Sequence, residues 1–455
     1  MEDINGMLSA KEIQLAEKCL DTARRLGAGK VRITLNKSLM ELFGTLNGEL
    51  DKVNHCLDRS MSVCLFVDGK FGSFSTNRLV ENELEDFLAK SVATVRMLAD
   101  DPCRDLPDPT RTAKDAVSGM ELGLFDPGYS QVTAEQRLKM AMDASIFKEH
   151  EADGLISEEG EYSDSVFDTF VIDSNGLRCR HSETSFEYGV ETTILDPKGN
   201  RFSGYWWDSS PTLGNLDSGI CGETALKRAL AQIGPVRIPG GQYTMVVDSE
   251  NSSKLVNPLI SALGAFALQQ KNSFLLDSLG KKVFPEWMNL MDMPHAKGQT
   301  GSRLFDSEGV ATKETPVIEN GVVKEYFVNT YMSRKMGIEP TVKDIIRPVL
   351  LPCSAPGLER PGKMGRTEIM RLVGDGILVT GFNGGNSNPA TGDFSFGVDG
   401  FLFKEGKIVH PVREMLITGN FITLWNDLLA AGDDSRPCKS KLIPTLAFRN
   451  VYFSA

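Results

Sequence analysis

Metal, acid–base and nucleophilic chemistry need particular residues at a few recognisable spacings, and this chain offers little of that kind. Its histidines are His55, His150, His181, His295 and His410, no two of them within ten residues of each other. A helical metal site places two ligands on one face at near-turn spacing, so each histidine reads first as a satisfied surface or core group. The eight cysteines, at 19, 56, 64, 103, 179, 221, 353 and 438, form no C-x-x-C pair. Their irregular spacing disfavours zinc ribbons, redox motifs and a disulfide framework, which leaves most of them as small buried hydrophobes. No Walker loop, G-x-G-x-x-G, G-x-S-x-G elbow or H-E-x-x-H occurs.

Three stretches still carry polar or aromatic density. "FDSEG" (305–309) places Asp306 and Glu308 at strand spacing on one face, as a general acid–base pair would have them, or in a turn ahead of a hairpin. "GFNGGNSNPATGDFS" (381–395) holds Asn383, Gly384, Gly385, Asn386, Asn388 and Asp393. It is either a long glycine-rich loop or a loop that presents amides and backbone to a peptide, with Asp393 orienting the asparagines. "SGYWWDSSP" (203–211) would put Tyr205 and Trp207 on one face of a strand and Trp206 on the other.

The elements that must position these residues are punctuated clearly. Ser9 and Glu12 form a capping-box pattern at the start of a helix that Gly27 and Gly29 end. Strand-like runs follow, with Asp68-Gly69 marking a hairpin, then a helix near 80–99. The same order recurs: a helix over 133–150, strand-like runs around Asn175-Gly176, and a helix over 221–234. This predicts an internal duplication. "GPVRIPGGQ" (234–242) reads as a linker. Beyond it, strands dominate, with hairpins on Asn320-Gly321 and Glu405-Gly406. The expected fold is α+β in two domains, residues 1–235 and 236–455.

Composition narrows the function classes. Charged residues are 24% and the net charge is −12; basic residues are scattered, which argues against a nucleic-acid partner. The N-terminus lacks an apolar h-region and no run is long enough to span a membrane, so a cytoplasmic location is expected.

Several stretches together resemble the TldD/PmbA family, the "modulator of DNA gyrase" group of metallopeptidases. They are "SFLLDSLGKKVFP" (273–285), "FDSEGVATK" (305–313), "IENGVVKEYFVNTYMSRKMGIEPT" (318–341), "TGDFSFGVDGFLFKEGKIVHPVREMLITGN" (391–420) and "LLAAGDD" (428–434). The resemblance implies a heterodimeric peptidase acting on unfolded or flexible peptides. TldD-type subunits carry H-E-x-x-x-H and a later cysteine, which bind zinc; PmbA-type (TldE) subunits lack the motif. Counted back from "QKNSF", the motif positions fall on Asn257, Pro258 and Ala262. An amide, an imino ring and a methyl supply no water-activating metal centre. Asn257 would suit a helix N-cap and Pro258 a first turn. Cys438 lies near where the third ligand would fall.

The resemblance thus implies a PmbA/TldE-type subunit with no catalytic residue and no cofactor of its own. Zinc is expected in a TldD-type partner, and alone the chain would pair with itself. An active hydrolase with scattered ligands and a non-enzymatic assembly or gyrase-modulating module are the rival readings.

Overall fold

The computed structural model describes residues 6–150, 154–217, 219–359 and 362–454, the side chains of Glu149 and His150 excepted. It is an α+β structure of two compact units. The first comprises residues up to Ala229 with His295–Thr312 and Asn329–Val342; the second comprises Leu230–Pro294, Lys313–Val328 and Lys343 onward. The units are therefore not two contiguous ranges. Local packing explains one excursion: Phe305 shares a small core with Ala113, Val171, Leu177 and Cys179.

In the first unit, Ser9 caps α1 (Ala10–Arg25) and completes the capping box with Glu12. Three antiparallel strands follow, β1 (Lys30–Leu46), β2 (Glu49–Val67) and β3 (Lys70–Thr76), then α2 (Glu81–Arg96). Asp68 and Gly69, with φ of 50° and 77°, make the tight β2–β3 turn. The second pass is α3 (Ala134–Asp143), the short α4 (Phe147–His150), β4 (Leu155–Asp173), β5 (Arg178–Leu195), β6 (Arg201–Ser210) and α5 (Cys221–Leu230). One helix was expected over 133–150. It breaks at Ser145 and Ile146, which Glu158 binds through the Ser145 hydroxyl and, at 3.0 Å, the Ile146 N–H.

The six strands lie in the order β3-β2-β1-β4-β5-β6. Two three-stranded meanders thus meet at the β1–β4 pair, each with its own helices, as a duplicated unit would. Alternation along β1 puts Val31, Ile33 and Leu35 under α1 and α2, and Leu39 and Phe43 in the core with Ala141 of α3 and Ala225 of α5.

In the second unit, β7 (Gly241–Val247) leads into α6 (Ser253–Ala262) and α7 (Ala265–Gln269). A small sheet follows of β8 (Leu290–Asp292), β9 (Thr315–Glu319), β10 (Val322–Val323) and β11 (Pro348–Leu350); the intervening α8 (Thr330–Met336) belongs to the first unit. Next come β12 (Cys353–Ser354), α9 (Arg366–Val373), β13 (Gly376–Ser387), β14 (Asp393–Lys404), β15 (Lys407–Asn420), α10 (Phe421–Asn426), β16 (Leu428–Ala431) and β17 (Leu446–Ser454). The seven-stranded sheet runs β12-β16-β17-β15-β14-β13-β7, and β17 also pairs with β7. Five strands, β7, β13, β14, β15 and β17, therefore close into a ring. The hairpin turns at Asn320-Gly321 and Glu405-Gly406 take the positive φ their sequences call for.

One buried ion pair in the first unit is testable. Lys37, 1% exposed at its side chain, meets Glu12 at 3.3 Å. Burial opposes ionisation of Glu12, but Ser9 and Lys37 together hold its carboxyl below the ordinary value. That stabilisation is present above the ordinary carboxyl range and is lost as pH falls through the lowered value. Glu12→Ala should cost about 1–3 kcal/mol in chemical denaturation, because it removes a carboxylate that the buried Lys37 ammonium meets. Adding Lys37→Met should recover most of the loss.

Candidate functional site

The degenerate motif sits on α6, whose buried face is Leu255, Val256, Leu259 and Ala262. Lys254 and Ser261 are exposed and Asn257 and Pro258 half-buried between them, so these four share the open face. Asn257 is not the cap: the helix starts earlier, at Ser252, and Pro258 lies inside it. The helix can begin before the proline because Ser252 is locked in place. Its N–H bonds the Asp248 carbonyl at 2.9 Å, and its hydroxyl donates to the Ile443 carbonyl at 2.9 Å. Pro258 cannot donate to the carbonyl one turn back. Ala262 is 2% exposed, and its carbonyl accepts from Ser273 Oγ at 2.6 Å.

The chain returns to this face at 436–445. Arg436 and Lys439 both bind Glu250, at 3.0 and 3.2 Å. Lys441 instead donates from Nζ to Asn257 Oδ1 at 2.6 Å. Burial pushes the Lys441 ammonium below its ordinary pKa. Cys438, on the same segment, is a buried thiol. Among the described residues no group of three or more His, Cys, Asp or Glu could hold a metal ion.

The asparagine stretch is mostly strand rather than loop. β13 and β14 pair through Gly385↔Phe396, Asn386↔Ser395 and Ser387↔Phe394, with bulges between Val379 and Gly381 and between Phe382 and Gly385. Only Asn388–Gly392 turns, with Asn388 Oδ1 accepting from the Ala390 N–H at 3.0 Å. Gly385 has φ of 97°, and a Cβ there would lie 2.0 Å from the Ser395 carbonyl oxygen, so only glycine fits. Asp393 meets the asparagines of the stretch only through its backbone carbonyl, which accepts from the Asn388 N–H at 2.8 Å; its carboxylate is engaged elsewhere. It accepts from Asn420 and Thr391 at 2.9 and 2.6 Å, and these two bonds hold its carboxyl below the usual range. Asn383 is held by Asp399, at 2.6 Å. Asn386 is exposed.

Arm and helix are tied together. Asn251, just ahead of α6, donates to the Thr380 carbonyl at 2.8 Å, where β13 bulges. Farther out, Lys254 Nζ lies 5.3 Å from the centre of the Phe396 ring. Phe396 belongs to an aromatic cluster with Phe382, Phe394 and Phe421, and Phe274 stacks on Phe421. The Phe274 N–H bonds the Pro389 carbonyl at 2.8 Å, which fixes the tip of the arm. The arrangement is one surface: an amide and two cations on α6 and its returning segment, beside an arm with exposed glycine backbone. It can hold an extended polar chain. Lys441, Lys254 and Asp399 had no distinguishing sequence signal.

The other candidates have structural roles. Asp306 Oδ1 accepts from the Glu308 and Val310 N–H groups at 2.8 and 3.0 Å, and Glu308 Oε2 accepts from the Thr330 N–H and hydroxyl, each at 2.9 Å. The two carboxylates build a turn and hold the start of α8. Trp206 packs on the first unit's core, Arg228 stacks on it at 5.2 Å, and Tyr205 is 48% exposed. His181 contacts Glu183, His295 bonds Thr312, and His55 pairs with Glu41. The His150 side chain lies outside what is described.

The family models for the PmbA/TldA metallopeptidase central domain and C-terminal domain match residues 128–233 and 240–455. The chain belongs to the PmbA/TldD family. The metalloprotease PmbA of Escherichia coli O157:H7 is 25% identical over 452 residues, covering 95% of this chain and 96% of that protein. A crystal structure of a proposed modulator of DNA gyrase from Bacteroides thetaiotaomicron superposes with a TM-score of 0.92 at 37% identity, covering 98% of this chain and 99% of the other. TldE from Thermococcus kodakarensis shares the fold, with a TM-score of 0.83 at 17% identity over 97% and 100% of the two chains. The PmbA/TldD chain is thus of a metallopeptidase family. Among the described residues no helix is long and apolar enough to cross a membrane.

The interior proline should be a measurable burden on this PmbA/TldD helix. Pro258→Ala restores a helix donor and should raise the stability of the second unit by about 1–3 kcal/mol in denaturant titrations. No gain would mean that the helix has already relaxed around the ring.

Proposed function

We propose that this chain is the metal-free, non-catalytic subunit of a PmbA/TldD-type peptidase, paired with a TldD-type zinc subunit and holding part of an extended peptide. One observation carries the reading: the Lys441 ammonium bonds Asn257, the position of the motif's first histidine. An amide is a poor zinc ligand, Pro258 has no carboxylate, Ala262 has no donor, and a lysine ammonium repels a divalent cation at the same place. The residues present do not fit zinc. The peptide lies along the open arm of β13, where Gly384, Gly385 and Asn386 are exposed and main-chain pairing is available. In the absence of a zinc subunit the chain associates with itself.

The test uses the purified chain, a TldD-type subunit retaining H-E-x-x-x-H, and an unfolded peptide. The chain alone should carry no stoichiometric zinc and cleave nothing; the mixture should cleave. Asn386→Ala should slow cleavage by the mixture several-fold, the worth of about one hydrogen bond, at unchanged assembly. Chelator-sensitive cleavage by the lone chain would overturn the reading.

A further inference from the structure

The second strand of the first unit's sheet, β2, runs on past the edge strand β3 beside it. β3 pairs only with Met61–Val67 of β2, while β2 extends back to Glu49 and is exposed from Glu49 through Arg59. A long open edge is a template for another strand. Charges such as Lys52, which meets Glu161 of its own chain at 3.1 Å in an exposed pair, and Asp58 are a common way to blunt one, but here they flank apolar residues. Val53 and Leu57 are 51% and 43% exposed. They stand opposite Phe43 and Leu39 of β1, so both project on the helix-bearing face of the sheet. Asp51 is the extra residue of a bulge, since Lys52 pairs with Gly44 and Leu50 with Thr45; the regular edge therefore begins at Lys52.

We propose that Lys52–Asp58 is a self-recognition edge, on which a second copy of this chain lays its own Lys52–Asp58 antiparallel, centred on His55. This rests on the self-association in the reading above and not on its metal-free part. The sequence selects the register. Centred on His55, each Lys52 faces the other copy's Asp58 and each Val53 faces the other copy's Leu57, so charge meets opposite charge and apolar meets apolar. A shift of two residues, the smallest that keeps each side chain on its face and the ladder bonded, sets Lys52 against Cys56 with Val53 against His55, or Val53 against Arg59 with Asn54 against Asp58. Cross-strand pairs of this kind are what stabilise a sheet, and like charges directly opposite destabilise it. The two six-stranded sheets become one of twelve strands, joined by an isologous contact.

Charge reversal tests the register. Lys52→Asp and Asp58→Lys each place like charges opposite one another twice per dimer, and each should weaken dimerisation about tenfold or more in sedimentation. An equimolar mixture of the two variants should recover a dimer holding one of each, and the double variant should pair with itself. Circular dichroism checks that each variant is folded. Hydrogen exchange on the unaltered chain gives a second readout: amides of 52–58 should exchange more slowly at high concentration than at low. A monomer at every concentration would sink both the edge and the self-association it rests on. A dimer that neither reversal weakens, or exchange at 52–58 that ignores concentration, would sink the edge alone.

Discussion

The last strand closes the second unit, and the candidate site depends on that closure. β17 pairs through Leu446–Phe448 with β7 and through Tyr452–Phe453 with both β7 and β15. To reach this slot the chain must first cross the start of α6. Ile443 is pinned there by the Ser252 hydroxyl, and Lys439 by the carbonyls of Ser249 and Glu250 at 3.0 and 3.1 Å. Lys441 sits between those anchors, so its short contact with Asn257 follows from how the ring shuts. Partial desolvation lowers the ammonium's pKa and strengthens its hold on a nearby oxygen at the same time.

The same closure explains why the arm stands where it does. β7 runs parallel to β13 only through Ile377–Val379. It then turns into α6, and Asn251 binds Thr380 at the point of departure. Past that point β13 has β14 on one side, and bulges and positive-φ glycines bend it. Phe274, Phe382, Phe394, Phe396 and Phe421 supply the rigidity that the glycine backbone lacks. Exposed backbone on a stiff aromatic base loses little conformational freedom when a strand is added, which favours binding.

Much of this was legible in the sequence, for reasons that also mark the limit. Local signals survived folding: the Ser9–Glu12 capping box, the turns at Asp68-Gly69, Asn320-Gly321 and Glu405-Gly406, and the repeated order of helix and strands. Each depends on neighbours within a few residues. Asn257 misled because its cap propensity is real, but Ser252 is held by Ile443, far away in sequence. Asp393 was paired with the wrong partners because Asn420 lies one strand over. The excursion of 295–312 into the first unit depends on Phe305 finding Val171 and Cys179, and no periodicity announces it. Lys441 was hidden most completely: in "CKSKLIP" it looks like any surface lysine.

Under the proposed reading, the exchange at Asn257, Pro258 and Ala262 removes chemistry without removing charge. A zinc centre gives a peptide two things, a Lewis acid and a positive potential. Lys441 supplies only the second, assisted by Lys254 on the same open face, while Glu250 neutralises Arg436 and Lys439 nearby. An ammonium can attract a carbonyl or carboxylate oxygen, yet it polarises no water to hydroxide at neutral pH. Nor does its field depend on a bound ion that a chelator could strip. A subunit built this way would hold a peptide whether or not metal is present, and leave cleavage wholly to a partner that has the histidines.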